Sequence, residues 1–343
     1  MEIIKQVTGI DVSMDTLACC TGTINTEQQL DLGPVQTYNN NTTGIKKLYR
    51  AAQSQKLPGV SQYFLMEATG VYYEALAYFL KSKGAHIIVV LPNKAKHFAK
   101  TLAQKSKTDS IDAKMLTQMG LEKVLQEWEP PSEQMKALKQ LTREHQQIMA
   151  LLTQAKCRTH AKQKAFQPHS SSLKRLKQEI KFYQRQLEDI EAEILTLLKQ
   201  DHENWNKVQN IQQVKGLSYM TIAKILAETD GFALIRNGKQ LASYAGLDVV
   251  LRQSGKYSGK TTLSKRGNKY LRMSVYMPAL SAMRSNRQMK AYYERILDKG
   301  KPKKVGIMAI ARKMLLLVYY LWVNDTKYDP DYHPALQANL ACF

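Results

Sequence analysis

Cysteine is scarce in this chain and does not cluster. Four are present in 343 residues (Cys19, Cys20, Cys157 and Cys342), and no two form a CxxC pair. Cys19 and Cys20 are adjacent in a stretch with strand character, so their side chains point to opposite faces and cannot share a metal. The seven histidines are scattered. Neither a zinc site nor a disulfide framework is expected, and a reducing cytoplasm is the default compartment. Long apolar runs are missing too. The longest near the C-terminus covers residues 314–323, behind Arg312 and Lys313; a membrane-spanning helix needs about 20. The opening Met-Glu-Ile-Ile-Lys lacks the basic-then-apolar pattern of a signal peptide. What the chain lacks most is negative charge: 29 Asp and Glu face 50 Lys and Arg, a net +21. With no membrane expected as partner, that surplus points to nucleic acid.

Hydrophobic residues make up 44% of the chain, enough for real cores. Residues 1–127 alternate strand and helix signals. Residues 6–13 and 16–25 read as a hairpin, with a third strand near 35–38. A helix over 43–55, a short buried strand at 63–66, a helix over 72–83 and the β-branched run at 86–91 follow. Another helix begins near Asp109. Three strands followed by alternating elements indicate an α/β domain with a mixed sheet. Pro130-Pro131 marks a break. Beyond it Leu138, Leu141, His145, Ile148, Leu152 and Ala155 recur at helical spacing. After Pro168 a heptad seam runs through Leu173, Leu176, Ile180, Tyr183, Leu187, Ile190, Ile194 and Leu197. The spacing predicts a coiled coil over 128–204, paired within the chain or with a second copy. Residues 205–330 read as helical and Gly-punctuated, and 331–343 as a tail. Val214-Lys215-Gly216-Leu217-Ser218 has the form of a helix–helix turn able to offer backbone N–H groups to a phosphate.

Four acids stand out. Asp11 interrupts an apolar first strand, where a carboxylate is costly unless paired or bound to a cation. Glu67 follows the strand at 63–66, at the carboxyl end where open α/β sheets place ligands. Asp109 and Asp112 are three apart at a helix start and share one face of its first turn. Each alone has an ordinary explanation: a salt-bridged strand residue, a solubilising strand end, a helix cap, an acid favoured by the dipole. As a set they offer oxygen-only ligands from three elements of one small domain. Such a set suits Mg²⁺ or Mn²⁺ acting at a phosphodiester; without cation charge, four acids in one pocket would repel.

A second constellation lies in the basic block. Residues 251–313 carry 17 Lys and Arg against Glu294 and Asp298; a solvated surface would mix signs. Within it, Tyr244-Ala245-Gly246-Leu247 precedes Gln253-Ser254-Gly255-Lys256, then Leu263-Ser264-Lys265-Arg266-Gly267-Asn268 and Leu271-Arg272. Ser254 is one hydroxyl in a polar loop, and Ser258 and Ser264 have similar credentials. Charge context favours a nucleophile there, because Arg252, Lys256 and Lys260 could hold a phosphate beside it. Lys265, Arg266, Lys269 and Arg272 are expected to contact phosphates.

Gly-Ile-Asp in a first strand, Glu-Ala-Thr-Gly, and Lys-Thr-Asp-x-x-Asp-Ala together resemble the DEDD transposases of bacterial insertion sequences. That family includes the pilin-gene invertases and the bridge-RNA-guided recombinases. The resemblance spans nearly the whole chain. It implies an RNase H-like, RuvC-like N-terminal domain, a coiled coil and a mainly helical, basic C-terminal domain. It also implies that Asp11, Glu67, Asp109 and Asp112 are the metal-binding tetrad. By position the family's catalytic serine maps to Ser254; where members commonly carry proline two residues after Gly-Leu, Val249 stands here. The implied activity is DNA strand transfer through a phosphoserine link. The implied partners are DNA, an element-encoded guide RNA, and further copies of the chain in a dimer or tetramer. Two other readings fit the same charge: a junction-resolvase-like endonuclease that uses water, and a nucleic-acid-binding protein with no chemistry.

Overall fold

The computed structural model describes residues 2–329 apart from 103–105, 107, 234, 252, 256 and 260. The chain divides into two compact units, Met1–Pro130 and Pro131–Phe343. In the first, β1 (Ile3–Val12), β2 (Thr16–Asn25) and β3 (Leu30–Asn39) form an antiparallel meander, followed by helix α1 (Thr42–Ser54). Strand β4 (Gln62–Glu67), helix α2 (Glu74–Ser82), strand β5 (His86–Val90) and helices α3 (Pro92–Thr101) and α4 (Asp109–Glu122) complete it. The strand order is β3-β2-β1-β4-β5, with β4 parallel to both β1 and β5. The third strand is longer than its apolar residues suggest. It is an edge strand, bent where pairing with β2 slips between Cys20 and Gly22, and Pro34 is tolerated there because its missing N–H has no partner to lose. The outer side of β5 is met by the Trp128 N–H, which donates to the Ile87 carbonyl at 2.7 Å.

Side-chain alternation sorts each strand onto two faces. Ile10, Val12, Leu17, Phe64 and Met66 pack with α1 and α2. Val7, Leu65, Ile88 and Val90 pack with α3 and α4 on the opposite face. Cys19 joins the first face and Cys20 the other. Burial pushes the Cys19 thiol up to about 12, which makes it unreactive.

Helix α4 crosses β1 at Gly9 with no room to spare. A Cβ at Gly9 would stand 2.3 Å from the Thr117 nitrogen and 2.7 Å from the Ala113 carbonyl oxygen. The Gly9 N–H donates to the Thr117 hydroxyl at 3.2 Å, and that hydroxyl donates to the Cys20 and Ala113 carbonyls. Further along, Gly120 sits over Val7 and Leu65. The helix therefore runs antiparallel to β1, its first turn over the strand's carboxyl end.

The second unit is helical. Helices α5 (Glu133–Lys164) and α6 (Ser170–Gln200) form an antiparallel hairpin. Its rungs include Gln134 to the Leu197 carbonyl, His145–Glu191 and Arg158–Glu179. Its lower half is continuous with the core of the later helices rather than a free-standing rod: Leu138, Ile148, Leu187 and Ile194 share one cluster with residues from Val208 to Trp322. The buried stripe on α6 steps from Ile194 to Leu198, not Leu197, the drift of a 3.6-residue helix away from a strict heptad. Helices α7 (His202–Gln212), α8 (Tyr219–Thr229) and α9 (Gly238–Tyr244) follow. Between α7 and α8, Gly216 adopts φ +102° and a Cβ there would stand 2.9 Å from Ala282, so that turn is a packing point.

The pairs β6 (Val249–Val250), β7 (Gln253–Ser254), β8 (Tyr257–Ser258) and β9 (Thr262–Leu263) come next, then α10 (Lys269–Ser274), α11 (Tyr276–Ser285), α12 (Arg287–Asp298) and α13 (Lys303–Val323). By length and composition α13 could cross a bilayer. Its Ile310, Ala311, Met314, Leu315, Val318, Leu321 and Trp322 instead fill the core.

Two outcomes test these packings. Gly9→Ala should destabilise the first unit by roughly 2 kcal/mol or more, since a backbone cannot yield as a side-chain tip does; urea unfolding measures it. His145 is buried between α5, α6 and α8. Burial lowers its pKa, Lys224 lowers it further and Glu191 opposes both. The unfolded chain therefore takes up this proton first as pH falls below about 6.5, and stability declines. His145→Gln should flatten the fall in melting temperature between about pH 7 and pH 5.

Candidate catalytic and nucleic-acid-binding sites

The four acids lie toward one end of the sheet. Ile10 of β1 pairs with Met66 of β4 in parallel register, so Asp11 and Glu67 come next, side by side at the carboxyl ends of neighbouring strands. By alternation both stand on the α4 face: Asp11 continues the row Val7–Gly9, and Glu67 follows Leu65. The first turn of α4 lies over that end and carries Asp109 and Asp112. Thr108 starts the helix, its hydroxyl accepting from the Ile111 N–H at 3.3 Å. Asp109 is exposed; Asp11, Glu67 and Asp112 are half-buried. Among the described residues, no three Asp, Glu, His or Cys side chains close into a group that could hold an ion. In donor chemistry the four carboxylates suit a hard divalent cation, and they lie toward one end of one face without being drawn around a common point.

Ser254 occupies a different structure, a two-storey β-arm. The lower storey pairs β6 with β9, Val249 opposite Leu263; the upper pairs β7 with β8, Ser254 opposite Tyr257. Gly255 turns the tip at φ +53°, a conformation glycine adopts without strain. Gln253, Ser254 and Tyr257 are exposed. The serines are thereby separated in role. Ser264 lies at the arm's root, its hydroxyl bonded to the Asp248 carboxylate, whereas Ser254 is presented at the tip.

The root is held by main-chain contacts between the two glycine-containing motifs and by a buried acid beneath them. The Asn268 N–H donates to the Tyr244 carbonyl at 2.7 Å, and Lys265 N–H to that of Gly246 at 3.2 Å. Gly267, at φ +140°, would put a Cβ 2.4 Å from the Tyr244 carbonyl oxygen. Beneath lies Glu228 of α8, 2% exposed. Its carboxylate accepts from Arg143 Nε at 2.7 Å, Arg143 Nη2 at 3.0 Å and Asn268 Nδ2 at 2.6 Å, while its carbonyl accepts from the Tyr244 hydroxyl at 3.1 Å. Burial alone would raise the Glu228 pKa; the hydrogen bonds from Arg143 and Asn268 outweigh it and hold the carboxyl below its ordinary value. Arg143 also stacks 4.6 Å from the Tyr270 ring. One signal in the sequence was available: Glu228 is a lone acid in a helix apolar on nearly every side.

The cations expected at phosphates divide. Lys265, Arg266 and Lys269 are exposed beside the arm root. Lys269 Nζ lies 5.1 Å from the Tyr270 ring. Arg272 is half-buried and donates through Nη1 to the Ala245 carbonyl at 2.8 Å. Arg252, Lys256 and Lys260 lie outside the described residues.

Both regions match transposase models. One described as "Transposase" covers residues 8–168, and one described as "Transposase IS116/IS110/IS902 family" covers residues 208–294. The chain belongs to this IS110-type family of insertion-sequence transposases. It is 25% identical over 331 residues to the pilin gene-inverting protein of Moraxella bovis, spanning 96% of this chain and 99% of that protein. It is 26% identical over the same length to its counterpart in Moraxella lacunata. An uncharacterized 42 kDa protein of insertion element IS900 from Mycobacterium paratuberculosis is 30% identical over 121 residues, 35% of this chain and 30% of that protein. Among solved structures, T. thermophilus RuvC in complex with a Holliday junction substrate aligns with 33% of this chain and 90% of its own, at 11% identity and a TM-score of 0.25.

Proposed function

We propose that this protein is a DNA recombinase of an insertion sequence, cutting and rejoining DNA with the acids of its sheet unit and the serine of its β-arm. The observation that supports the reading is that Asp11, Glu67 and the first turn of α4 lie on one face at one end of the sheet. Asp11, Glu67, Asp109 and Asp112 would hold Mg²⁺ (or Mn²⁺), and a divalent ion bound there would supply positive charge at a phosphodiester oxygen. Ser254 is the nucleophile. Its hydroxyl gives up a proton, its oxygen bonds to phosphorus, and a DNA oxygen leaves as a hydroxyl. The phosphoserine ester conserves the bond for rejoining in the reverse transfer.

Lys265, Arg266, Lys269 and Arg272, with Arg252, Lys256 and Lys260, bind nucleic-acid backbone; Arg272 does so while braced on Ala245. The full-length similarity to pilin gene-inverting proteins supports site-directed rejoining rather than simple nicking. The reading extends to a guide RNA encoded by the element and to a dimer or tetramer. It divides the chain into a RuvC-like domain over 1–127, a coiled coil over 128–204 and a C-terminal transposase domain over 205–330. The strand order supports the first of these and the α5–α6 hairpin the second.

The test uses cells carrying a plasmid with the gene and its native flanking DNA on both sides, scored for excision or inversion and for protein–DNA adducts. Asp109→Asn should lower strand cleavage by more than about 100-fold while leaving nucleic-acid binding in place, since it removes a carboxylate and no phosphate contact. Undiminished cleavage would remove the tetrad assignment. Ser254→Ala should abolish the covalent adduct; cleavage that persists without adduct would identify a water-using endonuclease instead. Binding to nucleic acid should weaken steeply with salt, and Lys265→Ala should reduce that slope by about one unit. A flat salt response would show that the basic block is not the docking surface.

A further inference from the structure

We infer that Glu228 is a positioning residue for the β-arm: its main-chain carbonyl holds Tyr244 at the end of α9 and its buried carboxylate holds Asn268 on the segment leaving the arm, and together they fix the direction in which Ser254 is presented. The inference rests on Ser254 being the nucleophile.

The arm is a slender element. Each storey is a two-residue ladder, and its tip is exposed. Among the described residues nothing within 4 Å would meet a Cβ at Gly255, so packing against them gives the tip no direction there. Its direction is set at the root, and Glu228 reaches both sides of it. Tyr244 ends α9 immediately before the arm and donates to the Glu228 carbonyl. Asn268 begins α10 immediately after, and both ends of its side chain are used: Oδ1 accepts from the Leu271 N–H at 3.0 Å, and Nδ2 donates to Glu228. Arg143 ties the same carboxylate to α5 through two N–H groups, a planar fork-to-fork pairing that resists rotation. An interior carboxylate held below its ordinary pKa keeps all three bonds over the physiological pH range. A nucleophile needs its orientation fixed closely, because misplacement of about 1 Å can cost roughly 100-fold in rate.

An exchange of partners tests this. Glu228→Gln places an amide N–H₂ against the donor of Asn268, and Asn268→Asp places a carboxylate against that of Glu228. Combined, the two changes restore a donor–acceptor pair between positions 228 and 268 with its polarity reversed, while Arg143 Nη2, which shares that oxygen, loses its acceptor; Asp remains a good cap for α10. The full-length variants are compared on the plasmid described above. Three readouts are taken: the rate of covalent adduct formation, the affinity for the flanking DNA and the melting temperature. Each single change should slow adduct formation by roughly 10- to 100-fold at temperatures where the variant is folded, with DNA affinity held, and the double variant should be faster than either single one. A purely structural role would lower melting temperature alone.

Adduct formation at the wild-type rate in folded Glu228→Gln, while Ser254→Ala abolishes it, would overturn the inference and leave the nucleophile standing. Undiminished adduct in Ser254→Ala would overturn both. Should Glu228→Gln fail to fold, Tyr244→Phe removes one hydroxyl from the same root: a slower adduct rate with unchanged affinity supports the inference, and an unchanged rate overturns it.

Discussion

The sheet unit depends on a missing side chain. Because Gly9 has no Cβ, the backbone of α4 rests directly on β1, with Thr117 bridging helix and strands through its hydroxyl. That contact fixes where the first turn of α4 ends up. Asp109 and Asp112 are carried toward the end of the sheet that bears Asp11 and Glu67 because this helix lies close and runs against the strand. Acids at a helix N-terminus are favoured by the dipole, so the arrangement that collects negative charge also tolerates it. Asp11 and Glu67 need no such help, since parallel pairing alone sets them side by side.

The helical unit is organised around a different constraint, a carboxylate in an apolar core. A charge so buried is stable only when its hydrogen-bonding capacity is used. The Glu228 carboxylate spends that capacity on α5 and the start of α10, while its main-chain carbonyl accepts from Tyr244 at the end of α9. The glycines at the root serve the same end. Gly267 allows two backbone segments to touch, and Gly246 adopts a positive φ beside the Arg272 guanidinium.

Much of this was legible in the sequence, for physical reasons. Strands β1, β2, β4 and β5 carry apolar runs or alternation that no helix would share, and the acids interrupt those runs visibly. The two long helices α5 and α6 were legible from their spacing, but not that they pair with each other within the chain. The β-arm did not: two-residue ladders have no periodicity to read, and only Ser-Gly marked the tip. Strand β3 was underestimated because an edge strand needs fewer apolar residues. The partners of Glu228 were invisible because Arg143 lies 85 residues away, and no local rule links a helix acid to so remote a cation. Arg272 looked like a phosphate ligand from charge alone, while its contact with the Ala245 carbonyl is a matter of tertiary packing.

The arm's two storeys have a consequence for how such proteins can diverge. Its root is pinned by backbone contacts that fix the spacing of Gly246, Lys265 and Asn268, whereas among the described residues between Val250 and Thr262 the pairing is that of the β7–β8 ladder. Residues added in matched pairs between the ladders would lengthen the reach by about 3.3 Å per pair and leave the anchorage untouched. Distance to a substrate could thus be tuned by insertion while aim is kept.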